Sequence, residues 1–479
     1  MERRKFIRHS ALAATGLALG ANRVGATAAA RHALTDFPVV RVAPGARKFS
    51  SPAIEAAIEA IQKEMGNKEL AWLFGNCFPN TLDTTVDFEM VGDTPDTFVI
   101  TGDIDAMWQR DSTAQVWPYL PFVKEDPRLG QLVEGVIRRQ TRNILLDPYA
   151  NAFYKDNTKV SEWKKTDITD MKPGIHERKW EIDSLCYPIR LAYNYWKRTG
   201  RTEPFDKAWK QGIESTLKTF KEQQRKEGEG PYSFQRNTAW ATDGVPMGGY
   251  GYPVKPVGLI CSMFRPSDDA TIFPFLVPSN FFAVVSLKQV AEMVQAIHGD
   301  AQLAQGCLAL AKEVEEALRL YAVVNDPVLG RVYAYEVNGF GSYNLMDDAN
   351  VPSLLALPYL GALQTDDTLY RNTRKLVLSG HNPFFFKGTA GEGTGGPHCG
   401  LNMIWPMGIT VRALTSTDET EIAHCLHILQ TTHAGTGFMH ESFFKDDPTN
   451  FTRKWFAWAN TIFGELILKV YHTHKGLLA

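Results

Sequence analysis

Apolar residues recur at helical spacing along most of this chain. The first such stretch opens at Ser51-Pro52-Ala53-Ile54, where Ser51 can accept a hydrogen bond from a first-turn N–H and Pro52 suits the first helical position. Ile54, Ala57, Ile58 and Ile61 then share one face. The same periodicity predicts helices over about 129–146, 181–198, 204–224, 280–297, 301–321, 351–361, 366–378, 400–414, 418–431 and 456–471. Strand alternation is confined to short stretches at 97–101 and 331–337.

Between the helical stretches lie long segments rich in Gly, Pro and aromatic residues, at 226–279, 380–399 and 433–455. They hold too many specific polar residues to be linkers, and no low-complexity stretch divides the chain. Helices alternating with elaborate loops predict an all-α fold, a single toroid of helical hairpins with long active-site loops, spanning residues 31–479.

The first 30 residues read differently. Arg3, Arg4, Lys5 and Arg8 precede an uncharged run over 11–21 and small residues around Val24-Gly25-Ala26, the pattern of a cleavable export signal. The run is too short and too rich in Ala and Gly for a permanent membrane helix. The Arg3-Arg4 pair followed by Lys5-Phe6-Ile7 resembles a twin-arginine signal, which predicts an exported, periplasmic protein of bacterial type.

The formal charge of −2, from 51 basic and 53 acidic residues, excludes a strongly basic nucleic-acid binder. Cys77, Cys186, Cys261, Cys307, Cys399 and Cys425 show neither C-x-x-C nor paired His spacing, so a structural zinc site is not expected and buried thiols are. Eleven Trp among many aromatic residues offer the flat apolar faces on which sugar rings sit, although packing uses them too.

Polar residues concentrate in particular clusters. In Thr101 to Ser112 stand Asp103, Asp105, Trp108, Arg110 and Asp111, suited to a wall where carboxylates accept from hydroxyls and an indole stacks on a ring. The blander alternatives are that Asp111 or Ser112 caps the helix carrying Gln115 and Val116, that Arg110 and Asp111 form a structural pair, or that Asp103 and Asp105 hold a divalent ion. A second cluster is Arg265-Pro266-Ser267-Asp268-Asp269, where adjacent carboxylates ahead of an apolar helix suit a general acid; alternatively both are solvated around a turn. A third holds His433, Gly435, Gly437, His440, Glu441, Arg453, Trp458 and Asn460. There Glu441 can activate a water or pair with Arg453 or Lys454 at the surface. His398 lies in a further glycine-rich loop. No phosphate-cradling loop after a strand and no G-x-S-x-G elbow is present.

Together these segments resemble glycoside hydrolase family 125, the bacterial exo-acting α-1,6-mannosidases. The resemblance is carried by TGDIDAMWQRDS and QVWPY (101–119), EIDSLCYPIRLAY (181–193), FRPSDDATIFPFLVPSNFFAVVSL (264–287), GGPHCGLNMIWPMG (395–408), and HESF with KWFAWANTIFGELI (440–467). It implies an (α/α)6 barrel and inverting hydrolysis of a terminal α-mannose by one acid and one base carboxylate. Carried over residue by residue, the acid falls on Asp268 or Asp269 and the base on Glu441. The clusters themselves assign Asp103, Asp105, Trp108, Arg110, Asp111, Arg265, His398, His440 and Asn460 to gripping the sugar. Two-carboxylate chemistry calls for no metal or cofactor, and the implied partner is an α-mannoside oligosaccharide. Gln109 departs from the pattern, standing where a bulky apolar residue is expected. Competing readings are another (α/α)6 glycosidase, a lyase, or an exported glycan-binding protein without turnover. Nothing in the sequence fixes an oligomeric state.

Overall fold

Helices of two kinds build the protein, distinguished by how their first turns are satisfied. One set starts at a polar side chain that accepts from a first-turn N–H. Ser51 does this for Pro52–Glu64, Asn67 for Lys68–Cys77 and Asp126 for Pro127–Leu146. Asp206, Asp300, Asp367 and Asp418 do it for Lys207–Gln223, Ala301–Tyr321, Thr368–Val377 and Glu419–Thr431. Each such cap is worth about 1 kcal/mol. The other set, Gln109–Val116, Asp183–Thr199, Val277–Met293, Pro406–Leu414 and Ala457–Thr473, has no side-chain cap and is buried along most of its length. This computed structural model describes residues 37–479, of which Val39–Ala479 form one compact unit. The export signal expected over 1–30 lies outside the described residues.

The uncapped helices make the centre. Asp183–Thr199 packs on both Gln109–Val116 and Val277–Met293, while Ala457–Thr473 packs on both Gln109–Val116 and Pro406–Leu414. Capped helices cover them, Ala301–Tyr321 lying on Val277–Met293 and Glu419–Thr431 on Pro406–Leu414. Val277–Met293, Pro406–Leu414 and Ala457–Thr473 are apolar on nearly every side and need such enclosure, whereas Gln109–Val116 buries mainly polar side chains; a continuous core of aromatic and aliphatic side chains runs through both sets.

Small antiparallel sheets lie at the starts of central helices. Met107–Trp108 runs directly into Gln109–Val116, Phe275–Leu276 into Val277–Met293, and Met403–Ile404 ends two residues before Pro406. Each belongs to a three-stranded sheet with strands from distant loops. Strand pairing over 97–101 and 331–337 is present in altered form. Thr94–Val99 pairs with Val86–Val91, and the second stretch splits, Gly330–Tyr333 pairing with Val323–Asp326 and Glu336–Val337 with Phe275–Leu276.

Two predicted helices need correction. Residues 351–361 are largely buried but form turns: the Asp347 carboxylate accepts from Leu354 and Leu355 N–H, and most of the following backbone bonds are short-range, Ala356 to Ser353, Leu357 to Leu354 and Gly361 to Pro358, with Leu360 to Ala356 alone at helical spacing. The stretch predicted over 400–414 is helical only from Pro406, its first part being used in the strand Met403–Ile404. Lys68–Cys77 and Asn80–Thr84 are helices that the periodicity did not separate from the loops. The cysteines are free thiols, all buried except the partly exposed Cys399.

Candidate active site

A pocket of about 390 Å³, open at its mouth, lies where the starts of the central helices converge. Trp108, Arg110 and Asp111 enter from Gln109–Val116 and the residue before it, and Ser267 and Asp268 from the loop ahead of Val277. His398 and Trp405 come from the segment ahead of Pro406, and Glu441, Arg453, Phe456 and Trp458 from the loop and first turn of Ala457–Thr473. Thr101, Ile104, Pro266 and Asn350 complete the wall. Helix starts carry orphan N–H groups and partial positive charge, an environment that suits the acids gathered there.

Arg110 organises the floor. It is 3% exposed. Its Nη1 donates to Glu181 Oε2 at 2.5 Å and to Asp183 Oδ2 at 3.3 Å, and its Nη2 donates to Asp268 Oδ1 at 3.1 Å. Asp111 Oδ2 lies 3.5 Å from its Nε. One guanidinium thus faces several carboxylates, and protons make up the balance. Burial pushes Glu181 well above the usual carboxylate range against the pull of Arg110, with Asp183 and Asp268 adding to the rise. Burial likewise lifts Asp183 to about 6 and raises Asp111. Asp111 sits inside the helix, where its Oδ1 accepts from the Thr101 hydroxyl at 2.7 Å; neither it nor Ser112 is the cap, since that position is Trp108.

Asp268 is held in a left-handed backbone conformation, φ 66°, which Asp tolerates better than most residues. Its N–H donates to the Arg265 carbonyl at 2.9 Å, and its own carbonyl accepts from Lys179 Nζ at 2.8 Å. Lys179 is itself buried against Asp243 and Glu177. The tight turn separates the neighbouring acids: the Asp268 side chain is 24% exposed in the pocket wall, whereas Asp269 is buried behind it. Asp269 accepts from the Thr242 and Ser267 hydroxyls and lies 3.7 Å from His398 Nδ1. Burial would raise its carboxyl, but His398, Thr242 and Arg265 outweigh burial and hold it below the usual range.

Glu441 stands immediately before the strand Ser442–Phe444. Its Oε1 lies 3.4 Å from Arg453 Nη1, and its Oε2 accepts from the Cys399 thiol at 3.5 Å. The pairing with Arg453 is real, but it lines the pocket and is not a surface bridge. Gly437 (φ 78°) precedes it where a Cβ would sit 2.7 Å from Val40, so only glycine fits.

Several residues expected to grip the sugar have other work. His440 is buried: its Nδ1 donates to the Lys454 carbonyl at 2.9 Å, and its ring stacks on Phe451 at 3.8 Å. The Asn460 side chain accepts from Met439 N–H at 2.8 Å and donates to Asn80. Both therefore anchor the segment that carries Glu441. Arg265 is buried with its Nε donating to Glu336 Oε1 at 2.7 Å, bracing the Asp268 loop from behind. Asp105 is 81% exposed beside Lys159, and Asp103 is exposed and reaches Arg453. None of these five lines the pocket. Among the described residues no group of three or more His, Cys, Asp or Glu could hold a metal. Gln109 is buried away from the pocket in bonds with Gln140 and Asn143.

Other residues at the site escaped the sequence. Trp405 lines the pocket beside the expected Trp108; the two are 2% and 6% exposed, and their Nε1 atoms are buried with no acceptor among the described residues. Asn350, which lines the pocket, and Glu181 and Asp183, which meet Arg110, came from stretches whose spacing gave no chemical signal, although the last two open a motif that carries the family resemblance.

A sequence profile of the metal-independent alpha-mannosidases (GH125) matches residues 67–468. The Meiotically up-regulated gene 157 protein of Schizosaccharomyces pombe is 41% identical over 459 residues, 92% of this chain and 90% of that protein. A Streptococcus pneumoniae metal-independent alpha mannosidase, solved as a non-productive complex with alpha-1,6-mannobiose, is 40% identical with a TM-score of 0.84, covering 88% of this chain and 99% of that one. A GH78 rhamnosidase of Bacillus sp. GL1, at 10% identity and TM-score 0.51 over 83% of this chain and 34% of its own, shares the fold alone. With a profile that spans most of the chain and a close structural match over nearly all of a family member, this protein belongs to the GH125 metal-independent alpha-mannosidases and is a glycoside hydrolase.

Proposed function

We propose that the protein is an exo-acting α-1,6-mannosidase that inverts configuration, with Asp268 as general acid and Glu441 as general base. The observation that carries this reading is that these two carboxylates line one pocket while Asp269 is turned away behind it. Asp268, with Oδ1 held by Arg110, gives a proton to the departing glycosidic oxygen as the bond to C1 breaks. Glu441 takes a proton from the water that attacks C1 from the opposite face, so the products are β-mannose and a free hydroxyl on the remaining sugar. Inverting enzymes place such carboxyls roughly 6.5–9.5 Å apart to admit that water. Trp108 and Trp405 supply indole faces to the sugar, and His398 and Asn350 add polar contacts. The fold proposed is an (α/α)6 barrel, its inner ring made of the five central helices with the turn-rich segment 351–361 in the sixth place. The 1,6 preference is taken from the sugar bound by the Streptococcus pneumoniae relative. Export by the twin-arginine route to a periplasm belongs to the same proposal and rests on Arg3, Arg4 and the uncharged run over 11–21.

The test is hydrolysis of α-1,2-, α-1,3- and α-1,6-mannobiose by the purified protein. Cleavage of the 1,6 isomer well ahead of the others is the expected result. Equal cleavage of all three would overturn the linkage, and release of internal fragments from a longer mannan would overturn the exo mode.

A further inference from the structure

Cys399 touches the reaction's base without lining the pocket. Its loop runs from His398 to the strand Met403–Ile404, which pairs with Ser442–Phe444 immediately after Glu441. Lys445 N–H donates to the Asn402 carbonyl at 2.9 Å, closing the same connection further on. The two segments are thus joined by backbone on one side, and the Cys399 thiol meets Glu441 Oε2 at 3.5 Å on the other, with Thr452 Oγ1 at 3.8 Å from the sulfur. Arg453 Nη1 approaches the other carboxylate oxygen at 3.4 Å.

A thiol beside a carboxylate donates while it keeps its hydrogen. Burial first, and then the charge of Glu441, push Cys399 well above the ordinary thiol range, so the sulfur stays protonated. The same shift makes it a poor nucleophile, which sets it apart from reactive and redox-sensing cysteines.

We infer that Cys399 is a positioning residue for the base: its S–H on Oε2 and the Arg453 guanidinium on Oε1 together fix the carboxylate plane of Glu441 towards the attacking water. The inference rests on the proposed role of Glu441. The charged and titratable groups around that carboxylate are Arg453 and Cys399 in contact with it, Asp103 and Asp111 near Arg453, and His398 and Asp268 in the same pocket lining.

The experiment measures kcat and KM against pH on α-1,6-mannobiose for the full chain and for Cys399→Ala, Cys399→Ser and Glu441→Gln. Losing a donor that favours the carboxylate lets the base keep its proton to higher pH. The acid limb of kcat/KM for Cys399→Ala therefore moves up by about half to one pH unit. Its kcat falls roughly tenfold while KM stays within about twofold. Cys399→Ser keeps a donor and recovers most of both, and it carries the test should Cys399→Ala fail to fold. An unmoved acid limb with unchanged kcat in Cys399→Ala overturns the inference, as does equal impairment of the Ser and Ala variants with a raised KM and lowered Tm. Retained activity in Glu441→Gln would instead remove the base assignment itself, so the two failures are distinguishable.

Discussion

Replacing Arg110 by Met removes the cation that, among the described residues, contacts Glu181, Asp183 and Asp268 together, without opening a large cavity. The acids it faces stand 2.5 to 3.5 Å away, and the guanidinium is 3% exposed. A unit charge pair at about 4 Å is worth about 4 kcal/mol at an effective dielectric near 20. The acids do not all remain ionised, so the separate pairs do not add. Breaking one partner out of a buried ionic group costs about 3–5 kcal/mol, and that is the loss of stability predicted for Arg110→Met at pH 7.5. The loss depends on pH in a defined sense. Without Arg110 the buried acids have folded-state pKa values raised further above their unfolded ones, so the native variant binds more protons than its unfolded chain. Its stability then recovers as pH falls, and at pH 5 the deficit shrinks to about 1–2 kcal/mol. Urea denaturation followed by circular dichroism at both pH values, with unchanged slopes, measures the difference. A deficit below about 1 kcal/mol at pH 7.5, or one of equal size at both pH values, would refute this account of the cluster.

Asp268→Asn keeps a residue that tolerates φ 66° and an oxygen facing Arg110, so folding survives. Its kcat on mannobiose falls by about 10²–10⁴, and by far less on an aryl mannoside whose leaving group needs no proton; equal losses on both would remove Asp268 as the acid. Asp347 gives a stability signal distant from the chemistry. Burial raises it to about 8 although it accepts from two backbone N–H groups, so its contribution is fully present below its unfolded pKa of about 4 and is lost as pH rises through 8. The urea midpoint should therefore fall between pH 6.5 and 9, and Asp347→Asn should flatten that fall; parallel curves for the two proteins would contradict it.

Local signals in the sequence carried the outer layer of the fold well. Ser51 caps its helix and Pro52 follows it, and an apolar face repeats through the amphipathic helices of the capped set. Periodicity failed where local and tertiary demands diverge. At 351–361 apolar residues recur at helical spacing, yet the Asp347 carboxylate takes the Leu354 and Leu355 N–H groups and most of the backbone bonds that follow span three residues, which makes turns instead of a regular helix. In the site, Trp108, Arg110, Asp111, Asp268, His398 and Glu441 all reach the pocket, because each lies in a polar cluster or glycine-rich loop that leads into a central helix. His440, Asn460 and Arg265 share those clusters but face inwards, and sequence proximity alone does not distinguish the side chain that meets the ligand from the one that braces it. Glu181 and Asp183 are legible only through their meeting with Arg110, 71 and 73 residues distant along the chain.

Proton NMR of α-1,6-mannobiose hydrolysis, read within the first minutes before mutarotation, addresses the paired roles of Asp268 and Glu441 together. The account predicts β-mannose as the first product, with its release abolished in Glu441→Gln while that variant still binds the disaccharide. First appearance of α-mannose, or undiminished turnover by Glu441→Gln, would contradict it.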